Sequence, residues 1–517
     1  MNTPKTALIS VWDKTGAVEL ARFLAAAGWR IISTGGTARH LRESGLKVME
    51  LSELTGFPEM LSGRVKSLHL AVHAGILARR AAPEDVRQLE ESGIKTIDLV
   101  AVNLYPFPDQ VDRATGIAAA LELIDVGGAS LLRSAAKNHP DVVVLSDPAD
   151  YRGVIDEYHS GGGEISSATR RRLAAKVFQV LSAYDRAVAG YLAARGPDEF
   201  PVVYELTGRL QQEMRYGENP HQRAALYATA EPLEGASLLN ARLLQGKKLS
   251  YNNILDLESA LALALELGPS AAVIVKHNNP CGAAVSSDLL KSYLNARSTD
   301  PVSAFGGVVA VHGPVGENLS QELVSTFLEA VAASLFSPRA LKALAAKKNL
   351  RLLEIPCFLP RSPTRTIRSV YGGFLVQDDD LLDWKKDGLE VVSRARPTPS
   401  QSEDLAFAWR VVKHARSNAI VLARDQRTIG IGVGQMSRID AARLAVEKAR
   451  STGLDIGGAV LASDGFFPFR DVVDLVAAAG VSAIVQPGGS IRDNEVVTAA
   501  DEKGLAMVFT GIRHFKH

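Results

Sequence analysis

Short apolar runs alternate with helical patterns along the first 150 residues of the chain. TALISV, RIIST, IDLVAVNLYPF and DVVVLSD are rich in β-branched residues, whereas VELARFLAAAG and TARHLRESG have helical patterns. Strands that alternate with helices in this way form a parallel sheet with helices on its faces. The pattern predicts an α/β fold for the N-terminal part.

The rest of the chain, from about residue 200 to 517, repeats this mixture. Its β runs include AAVIVKH, GGVVAVH, NAIVLARD, TIGIGVG, GAVLASD and SAIVQPGG, separated by long helices rich in Ala and Leu. AAVIVKHNNPCGAAV and NAIVLARDQRTIGIGVG each consist of an apolar β run that ends in charged residues. This weak similarity indicates a faint duplication within the second half of the chain. RGPDEFP, residues 195 to 201, has the glycine and prolines of a linker.

Lys276 and His277 end the apolar run that begins at residue 271, and a turn is predicted over residues 278 to 282. In α/β folds, chemistry concentrates at strand ends. A lone histidine at such a place is more often structural. Its lysine neighbour changes the balance, because an adjacent positive charge favours a neutral imidazole that can accept a proton. His277 is therefore a candidate base, with Lys276 as a fixed positive charge.

Composition narrows the class of protein. The 517 residues include 58 Lys and Arg against 57 Asp and Glu, so no global field favours nucleic acid or a membrane. Cys281 and Cys357 lie in no CxxC pair, which predicts neither a disulfide framework nor zinc, and fits a reducing compartment. PCG lacks the second cysteine of a zinc nucleoside deaminase, so we expect no metal. The first residues lack a long apolar stretch, and we expect a cytoplasmic protein without an export signal.

Two segments of the N-terminal part could bind phosphate. SVWDKTG, residues 10 to 16, and STGGT, residues 33 to 37, each follow a β run and supply glycine amides and hydroxyl groups. The alternative is an ordinary turn that caps a helix. Neither segment fits GxxxxGK[ST] or GxGxxG, so binding of ATP or NAD is not supported.

Three further segments carry possible chemistry. LSGRVKSLHLAVHAGILARR is either a solvated basic face or a loop over an anionic ligand. In IDVGGASLLRSAAKNH, Asp125 is either a helix cap or a proton-transfer group, and Lys137, about three helical turns further on, is either an exposed lysine or a second such group. EMRYGENPHQRAALY is either a polar surface turn or a ligand-binding loop.

Together, these and other motifs resemble one known family along essentially the whole chain. GRVKSLHLAVHAGILAR, NLYPF, IDVGGASLLRSAAKNH, RYGENPHQ, VKHNNPCG, DPVSAFGGVVA, SDGFFPFRD and GIRHFKH occur in the order of the bifunctional AICAR transformylase/IMP cyclohydrolases of purine biosynthesis. The resemblance implies a methylglyoxal-synthase-like parallel-sheet domain, residues 1 to 197, that closes formyl-AICAR to IMP. It also implies a transformylase unit, residues 198 to 517, of two cytidine-deaminase-like α/β subdomains without zinc. That unit transfers formyl from the co-substrate 10-formyltetrahydrofolate to the 5-amino group of AICAR.

The resemblance also implies roles for particular residues. For ring closure the implied catalytic residues are Lys66, Tyr105, Asp125 and Lys137. The implied nucleotide-binding residues are Trp12, Asp13, Lys14, Thr15, Ser33, Thr34, Gly35, Gly36, Thr37, Arg64, Ser67, Asn103 and Val126. For formyl transfer the implied catalytic pair is Lys276 and His277. The AICAR contacts are Arg215, Tyr216, Gly306, Glu329, Asn418, Phe466 and Arg513, and the folate contacts are Arg438, Ile439, Asp471, Ser490 and Ile491.

The chain departs from the family pattern at residue 70, where Leu stands in place of an expected Pro after SLH. The resemblance implies a homodimer with shared transformylase sites and, as partners, small-molecule substrates only. A competing interpretation makes one unit a noncatalytic nucleotide-binding module. The presence of Lys66, Tyr105, Asp125 and Lys137 argues against it.

Overall fold

The computed structural model describes residues 4–61, 64–111, 116–193, 200–229, 234–384 and 389–517, with the side chain of Pro108 left aside. The chain divides into two compact units, Met1–Tyr204 and Glu205–His517. Most of the predicted linker, at residues 194 to 199, and the predicted boundary between 197 and 198 lie outside the described residues.

The first unit contains a five-stranded sheet in which every pairing is parallel. Its strands are β1 (Thr6–Val11), β2 (Arg30–Ser33), β3 (Met49–Glu50), β4 (Leu99–Asn103) and β5 (Val143–Leu145), in the order β3-β2-β1-β4-β5. Its helices are α1 (Ala17–Ala26), α2 (Gly35–Glu43), α3 (Leu51–Thr55), α4 (Leu70–Leu77), α5 (Pro83–Glu91), α6 (Phe107–Val111), α7 (Ile117–Leu121), α8 (Val126–Lys137), α9 (Tyr151–Ser160) and α10 (Ser167–Leu192), with a 3-10 turn at Pro148–Asp150. The predicted parallel α/β fold of the N-terminal part is confirmed.

The apolar runs that predict these strands become the core of the first unit. β1 and β4 are buried along nearly their whole length, as a parallel sheet covered on both faces requires. Ile9, Leu20, Val100 and Leu132 are all fully buried in one cluster. Each such side chain contributes about 1.5–3 kcal/mol when it leaves water. Since the strands are parallel, their carboxyl ends meet at one edge of the sheet.

The second unit is built on a 12-stranded mixed sheet. The strands of this unit, inside and outside the large sheet, are β6 (Gly208–Met214), β7 (Ala224–Thr229), β8 (Arg242–Gln245), β9 (Ala271–Lys276), β10 (Asn279–Val285), β11 (Val308–Val315), β12 (Ala330–Phe336), β13 (Arg351–Glu354), β14 (Arg365–Val370), β15 (Gly373–Asp378), β16 (Glu390–Val391), β17 (Ile420–Arg424), β18 (Arg427–Gly432), β19 (Val460–Ser463), β20 (Ala483–Gln486) and β21 (Ala506–Phe509). The order in the large sheet is β16-β21-β20-β19-β17-β18-β10-β9-β11-β12-β13-β8, and β6-β7 and β14-β15 form separate hairpins.

Helices cover both faces of that sheet. They are α11 (Tyr251–Leu267), α12 (Leu289–Thr299), α13 (Pro301–Ala304), α14 (Glu317–Ser325), α15 (Pro338–Leu344), α16 (Pro399–Lys413), α17 (Arg438–Ser451), α18 (Asp471–Ala479) and α19 (Asp493–Lys503), with a 3-10 turn at Leu238–Asn240. On one face, α11 and α16 share a single core, whereas on the other face each half of the sheet has its own core. No helix within the described residues combines the length and apolarity needed to cross a membrane.

The second unit is internally duplicated, as the sequence faintly indicated. In each half a capped helix, α11 or α16, precedes a hairpin, β9-β10 or β17-β18, and a helix, α12 or α17, follows it. Each first helix begins with a capping box, at Ser250 and at Thr398. The hairpins meet at the centre of the sheet, where β10 pairs antiparallel with β18. The strand order on either side of this junction is therefore a mirror image.

Candidate functional site

Asn103 joins two strand ends at the carboxyl edge of the first sheet. Its side-chain Oδ1 accepts hydrogen bonds from the amides of Trp12, at 2.6 Å, and Asp13, at 2.9 Å, while its Nδ2 donates to the carbonyl of Asp13 at 2.8 Å. Asp13 in turn accepts from the amide of Thr15 at 2.9 Å, and this bond lowers the pKa of its carboxyl. Lys14 donates to the carbonyls of residues 11 and 12 at 3.3 Å. The loop after β1 is thus held in a fixed shape.

The STGGT segment packs directly against that loop. Thr37 exchanges hydrogen bonds with both backbone groups of Val11, at 3.1 and 2.8 Å, and Thr34 Oγ1 lies 2.8 Å from the hydroxyl of Ser10. Thr34 is the N-cap of α2, but its side chain makes no capping bond. A Cβ added at Gly36 would meet nothing within 4 Å, whereas one added at Gly35 would lie 3.8 Å from Oε1 of Glu59, so Gly36 is open but a carboxylate lies near the start of α2. The segment starts a helix, and the binding of an anion to its amides stays a prediction.

Ser33 differs from its neighbours. Its hydroxyl is fully buried and donates to the carbonyl of Ile9 at 2.6 Å. The Ser33 side chain therefore ties β2 to β1.

Asp125 is a helix cap, as one of its two interpretations predicted, and its role in proton transfer stays a prediction. It is the N-cap of α8, and Oδ1 accepts from the amide of Gly128 at 2.7 Å. Burial raises the pKa of its carboxyl, against the opposing effects of the Gly128 amide, the Lys66 charge and the Tyr105 amide. The backbone amide of Asp125 donates to the hydroxyl of Tyr184 at 2.7 Å. The structure thus brings Lys66, Tyr105 and Asp125 together.

Three further predicted nucleotide-binding residues, Arg64, Ser67 and Val126, lie near Lys66 in sequence or at the amino end of α8. Ser67 is buried against the amino end of α8, where a Cβ added at Gly127 would lie 2.6 Å from its hydroxyl. Val126, the first residue of α8, is exposed, and Arg64 forms an exposed ion pair with Glu122. Leu70 is the first residue of α4, a position that suits Pro but also accepts Leu, and it lies exposed to solvent.

Lys137 lies apart from this group. It is the last residue of α8 and is exposed, twelve residues after Asp125. A rise of 1.5 Å per residue separates the two Cα atoms by about 18 Å. Within one chain, the structure does not bring Lys137 to Asp125.

The predicted strand before His277 is present, but the prediction of the turn was wrong in extent. His277 and Asn278 alone form the turn, both with left-handed backbone (φ 51° and 62°), as a two-residue hairpin demands. Residues 279 to 285 are strand β10, and the register shifts between Pro280 and Gly282. A bulge admits a proline inside a sheet, so Pro280 and Gly282, which are typical turn residues, can lie within a strand.

The hairpin presents His277 at the mouth of a cleft of about 320 Å³. His277 is exposed, while Asn278 is anchored by its amide to Asp256 Oδ1, at 2.7 Å, and by its Oδ1 to the Ser259 hydroxyl, at 2.7 Å. Lys276 Nζ donates to the carbonyl of Phe305 at 2.6 Å. The cleft is lined by Glu218, Asn252, Leu255, Asp256, His277, Asn278 and Arg416.

Glu329 and Gly306 lie beside Lys276. A Cβ added at Gly306 would be 3.7 Å from Lys276 Nζ, and the left-handed backbone there, with φ 74°, favours glycine. Glu329 donates its amide to the carbonyl of Gly307 at 3.0 Å and forms an ion pair with Arg351 at 2.7 Å. Arg215 and Tyr216 lie on the β6-β7 hairpin loop, where the guanidinium stands 5.6 Å from the ring centroid.

Asn418 adjoins the His277 hairpin through the segment that precedes it. The amide of Arg416 donates to the side chain of Asn279 at 3.0 Å, and Asn418 Oδ1 accepts from Arg438 at 2.8 Å. Gly465 lies against both Arg438 and Phe515, and Phe515 stacks with the guanidinium of Arg513 at 4.4 Å. Phe466, the next residue, is partly exposed. The predicted AICAR contacts of the second half are therefore neighbours.

The predicted folate contacts lie at the amino ends of three successive helices. Arg438 begins α17, Asp471 begins α18, and Ser490 and Ile491 precede α19. Arg438 is buried and forms an ion pair with the fully buried Asp464. Ile439 is half-buried, and Ile491 is wholly exposed. Of this set, Arg438 is the one held in a polar network inside the fold.

The groups described above lie along one edge of the large sheet. β10 runs antiparallel to β18, with Ala284 opposite Arg427, so the His277 end of β10 lies level with the carboxyl end of β18. β19 and β20 end at the same edge, and β11 and β12 begin there. Sequence reasoning missed Asp256 and Arg416. Asp256 looks like any polar residue of an amphipathic helix, and Arg416 lies in a segment whose proximity to residue 279 arises from the antiparallel pairing of the two halves.

Within the described part of the chain, no three His, Cys, Asp or Glu side chains are grouped as a metal site. Cys281, which is buried, and Cys357 are both free thiols.

Comparisons with known proteins agree with these features. A family model described as AICARFT/IMPCHase bienzyme matches residues 135–448, and one described as an MGS-like domain matches residues 16–130. A bifunctional purine biosynthesis protein PurH from Magnetococcus marinus is 50% identical over 528 residues, covering 99% of this chain and 99% of the relative. The solved structure of ForH is 40% identical and covers 37% of this chain and 100% of its own, with a TM-score of 0.33.

Proposed function

Because this chain belongs to the AICARFT/IMPCHase bienzyme family, we propose that its two compact units divide the two reactions of that family between them. The chain is a bifunctional purine biosynthesis enzyme, an AICAR transformylase and IMP cyclohydrolase for the last two steps of IMP synthesis. The transformylase reaction uses a formyl-folate co-substrate. We assign ring closure to Met1–Tyr204 and formyl transfer to Glu205–His517.

The His277 hairpin supports the assignment of formyl transfer more than any other feature. The 5-amino group of AICAR is a poor nucleophile because its lone pair is conjugated with the imidazole ring. His277, exposed at the cleft, would remove the proton from this nitrogen as it attacks the formyl carbon, and N10 of the folate would leave with a proton. Lys276, fixed beside Gly306, would stabilise the negative charge that develops on the formyl oxygen.

The remaining transformylase residues would bind the two substrates. We assign Arg215, Tyr216, Gly306, Glu329, Asn418, Phe466 and Arg513 to AICAR, and Arg438, Ile439, Asp471, Ser490 and Ile491 to the folate. Arg438 would also orient Asn418, to which it donates a hydrogen bond, while Asp464 holds its guanidinium in place. Arg416 joins the assignment because it lines the cleft and offers positive charge to an anionic substrate.

Ring closure would use the group around Asp125. The carboxamide nitrogen of formyl-AICAR attacks the formyl carbon, and water leaves, so protons must move onto the departing oxygen. Asp125, with its raised pKa, can exchange a proton, and Lys66 can stabilise charge on the oxygen. Tyr105 would complete the group.

The nucleotide phosphate and ribose would lie at the carboxyl edge of the first sheet. We assign this binding to Trp12, Asp13, Lys14, Thr15, Thr34, Gly35, Gly36, Thr37, Arg64, Ser67, Asn103 and Val126, with Ser33 as a support for β2. The open position at Gly36 and the fixed loop at Asn103 support the assignment. Lys137 stays a prediction from the resemblance, because it lies about 18 Å from Asp125 along α8.

The proposal also includes a metal-free mechanism, a homodimer and a cytoplasmic location. The exposed apolar residues of the two hairpins outside the sheet, such as Leu210, Tyr227, Phe374 and Leu375, would suit contact with a second copy. The two free thiols fit a reducing compartment.

The whole proposal has a direct test. Purified protein is mixed with AICAR and 10-formyltetrahydrofolate, and the formation of formyl-AICAR and IMP is followed over time. The experiment is repeated with formyl-AICAR alone, which requires ring closure only. Production of IMP in both reactions is expected, and formyl-AICAR that accumulates in the first reaction and is not consumed in the second would refute the assignment of ring closure to this chain.

A further inference from the structure

A second cavity lies in the first unit, away from the residues assigned to the nucleotide. It has a volume of about 380 Å³, within the range of small-molecule sites. Lys5 precedes β1, Asp98 precedes β4, and Val143 begins β5, and all three line it. The cavity is therefore at the amino edge of the parallel sheet, opposite the carboxyl edge where Asn103 and Thr37 lie.

One wall of this cavity is aromatic and held in place. The indole N–H of Trp29 donates to the hydroxyl of Tyr158 at 3.2 Å, and the ring of Phe23 meets that of Tyr158 edge to face at 5.2 Å. Lys5 Nζ stands 5.5 Å from the centre of the Trp29 ring. A fixed aromatic wall favours a flat apolar or aromatic ligand, since little side-chain freedom is lost when the ligand binds.

The acids that line the cavity already have partners. Asp98 accepts from the amide of Thr6 at 2.8 Å, Asp141 accepts from the amide of Arg80 at 3.1 Å, and Glu164 pairs with Lys5 at 2.9 Å. The Arg80 guanidinium donates to backbone carbonyls, including that of residue 97 at 2.9 Å. The amide bonds do not neutralise Asp98 and Asp141, but the three acids of the lining are matched in number by its three basic residues, Lys5, Arg80 and Arg170.

Among the charged residues that line the cavity, Arg170 has a donor without a partner in the part of the chain that the structure describes. It lies in the first turn of α10 and lines the cavity, and its Nε is buried with no hydrogen-bond partner among the described residues. A buried donor without a partner is unfavourable, and a guanidinium prefers a planar carboxylate or a phosphate. The glycine loop at residues 161 to 163, which the two reactions do not use, leads into this helix.

We propose that this cavity is a binding site for a small aromatic anion, with its ring against Trp29 and Tyr158 and its carboxylate or phosphate on Arg170. The aromatic wall distinguishes such a ligand from a free phosphate. The unpartnered Nε of Arg170 distinguishes it from a neutral aromatic compound. The site is separate from both reactions assigned above.

The test uses the full chain and phenyl phosphate as the probe, with inorganic phosphate and phenol as comparisons. Binding is measured by calorimetry on the wild type, on Arg170→Gln, and on Arg171→Gln as a matched control. Arg171 is the next residue of α10 and is exposed, so both variants lose the same charge from the same helix. A crystal of the wild type soaked in phenyl phosphate then locates the probe.

We expect phenyl phosphate to bind the wild type more tightly than either comparison compound. Arg170→Gln should weaken this binding at least tenfold and Arg171→Gln less than twofold, with electron density between Trp29 and Arg170 in the soaked crystal. Equal weakening in both variants, no weakening in Arg170→Gln, or a soaked crystal with only water in the cavity would overturn the proposal. The temperature of unfolding and the formation of IMP, unchanged in both variants, establish that they are folded.

Discussion

Asp256 of α11 accepts a hydrogen bond at 2.7 Å from the amide of Asn278, in the turn that carries His277. The other half of the second unit has the same arrangement, in which Asp404 of α16 accepts from the amides of Asp425, at 3.0 Å, and Gln426, at 2.7 Å. One structural device is therefore used twice, and only one copy holds a candidate base. A comparison of variants at Asp256 and Asp404 can therefore distinguish an effect on catalysis from an effect on stability.

Asp256→Ala should impair formyl transfer, because it frees the turn and misplaces His277. We expect the rate to fall on the order of 10-fold to 100-fold, since small displacements of a catalytic group are costly. Ring closure from formyl-AICAR, measured on the same preparation, should keep its wild-type rate.

Asp404→Ala is the matched control for that variant. Two hairpin amides lose their acceptor, so the free energy of unfolding should fall by about 1–3 kcal/mol, measured by denaturant titration. The formyl-transfer rate should change less than twofold at a temperature where the protein is folded. Equal loss of formyl transfer in both variants would show that Asp256 does no more than stabilise the fold.

Asp125→Asn isolates the carboxylate of the ring-closure site from its role as a cap. Asn is as good an N-cap as Asp, so stability should stay within about 0.5 kcal/mol of the wild type. Asp125 must be ionised to accept the proton of the attacking nitrogen, and burial raises its pKa, so the rate of ring closure should fall at low pH in a limb that lies above the ordinary value of 3.8. In the variant that limb should vanish and the rate should fall about 100-fold or more. A variant with the wild-type profile would remove Asp125 from the mechanism.

Lys137→Ala and Lys66→Ala test two lysines that the family resemblance treats alike. Lys66 acts on Asp125 through its charge, whereas Lys137 lies at the far end of α8 and is exposed. We therefore expect ring closure to fall about 100-fold or more in Lys66→Ala and less than threefold in Lys137→Ala. A loss in Lys137→Ala as large as that in Lys66→Ala, without a change in unfolding, would mean that Lys137 reaches the site from a second copy.

His414 should make the stability of the second unit depend on pH. Burial lowers its pKa, as do the charges of Lys516 and Lys413, against the opposing hydrogen bond to Glu266 at 2.7 Å. The unfolded chain then binds a proton near pH 6.5 that the folded chain does not bind. The contribution of His414 to the free energy of unfolding is therefore fully present above pH 6.5. It is lost as the pH falls below 6.5, by at most about 1.4 kcal/mol per pH unit.

His414→Gln checks this sign, because Gln can still donate to Glu266 but does not titrate. Unfolding is measured between pH 7.5 and 5.5 for the wild type, for His414→Gln and for His159→Gln, which replaces an exposed histidine. The slope should flatten in His414→Gln only. An unchanged slope in that variant would place the pH dependence elsewhere.

The sequence was sufficient for the elements whose pattern is local. The parallel sheet of the first unit follows from alternating apolar runs, and the cap at Asp125 follows from the glycines after it. The extent of the turn after His277 did not follow, because Pro280 and Gly282 look like turn residues unless the bulge is known. The separation of Lys137 from Asp125 did follow, since about three helical turns were expected between them, and it conflicts with the shared site that the family resemblance implies.

Contacts between the two halves of the second unit were beyond sequence reasoning for a further physical reason. Arg416 lies 137 residues from Asn279, and their hydrogen bond depends on the antiparallel junction of β10 and β18. The faint duplication indicated two similar hairpins but gave no register between them. The cleft beside His277 is therefore a product of tertiary structure.

The most direct test of the central claim is the effect of His277→Ala on the two reactions of the same preparation. The account predicts that formyl transfer falls by about 10² to 10⁴ and that ring closure from formyl-AICAR keeps its wild-type rate. Formyl transfer at the wild-type rate in His277→Ala would contradict it.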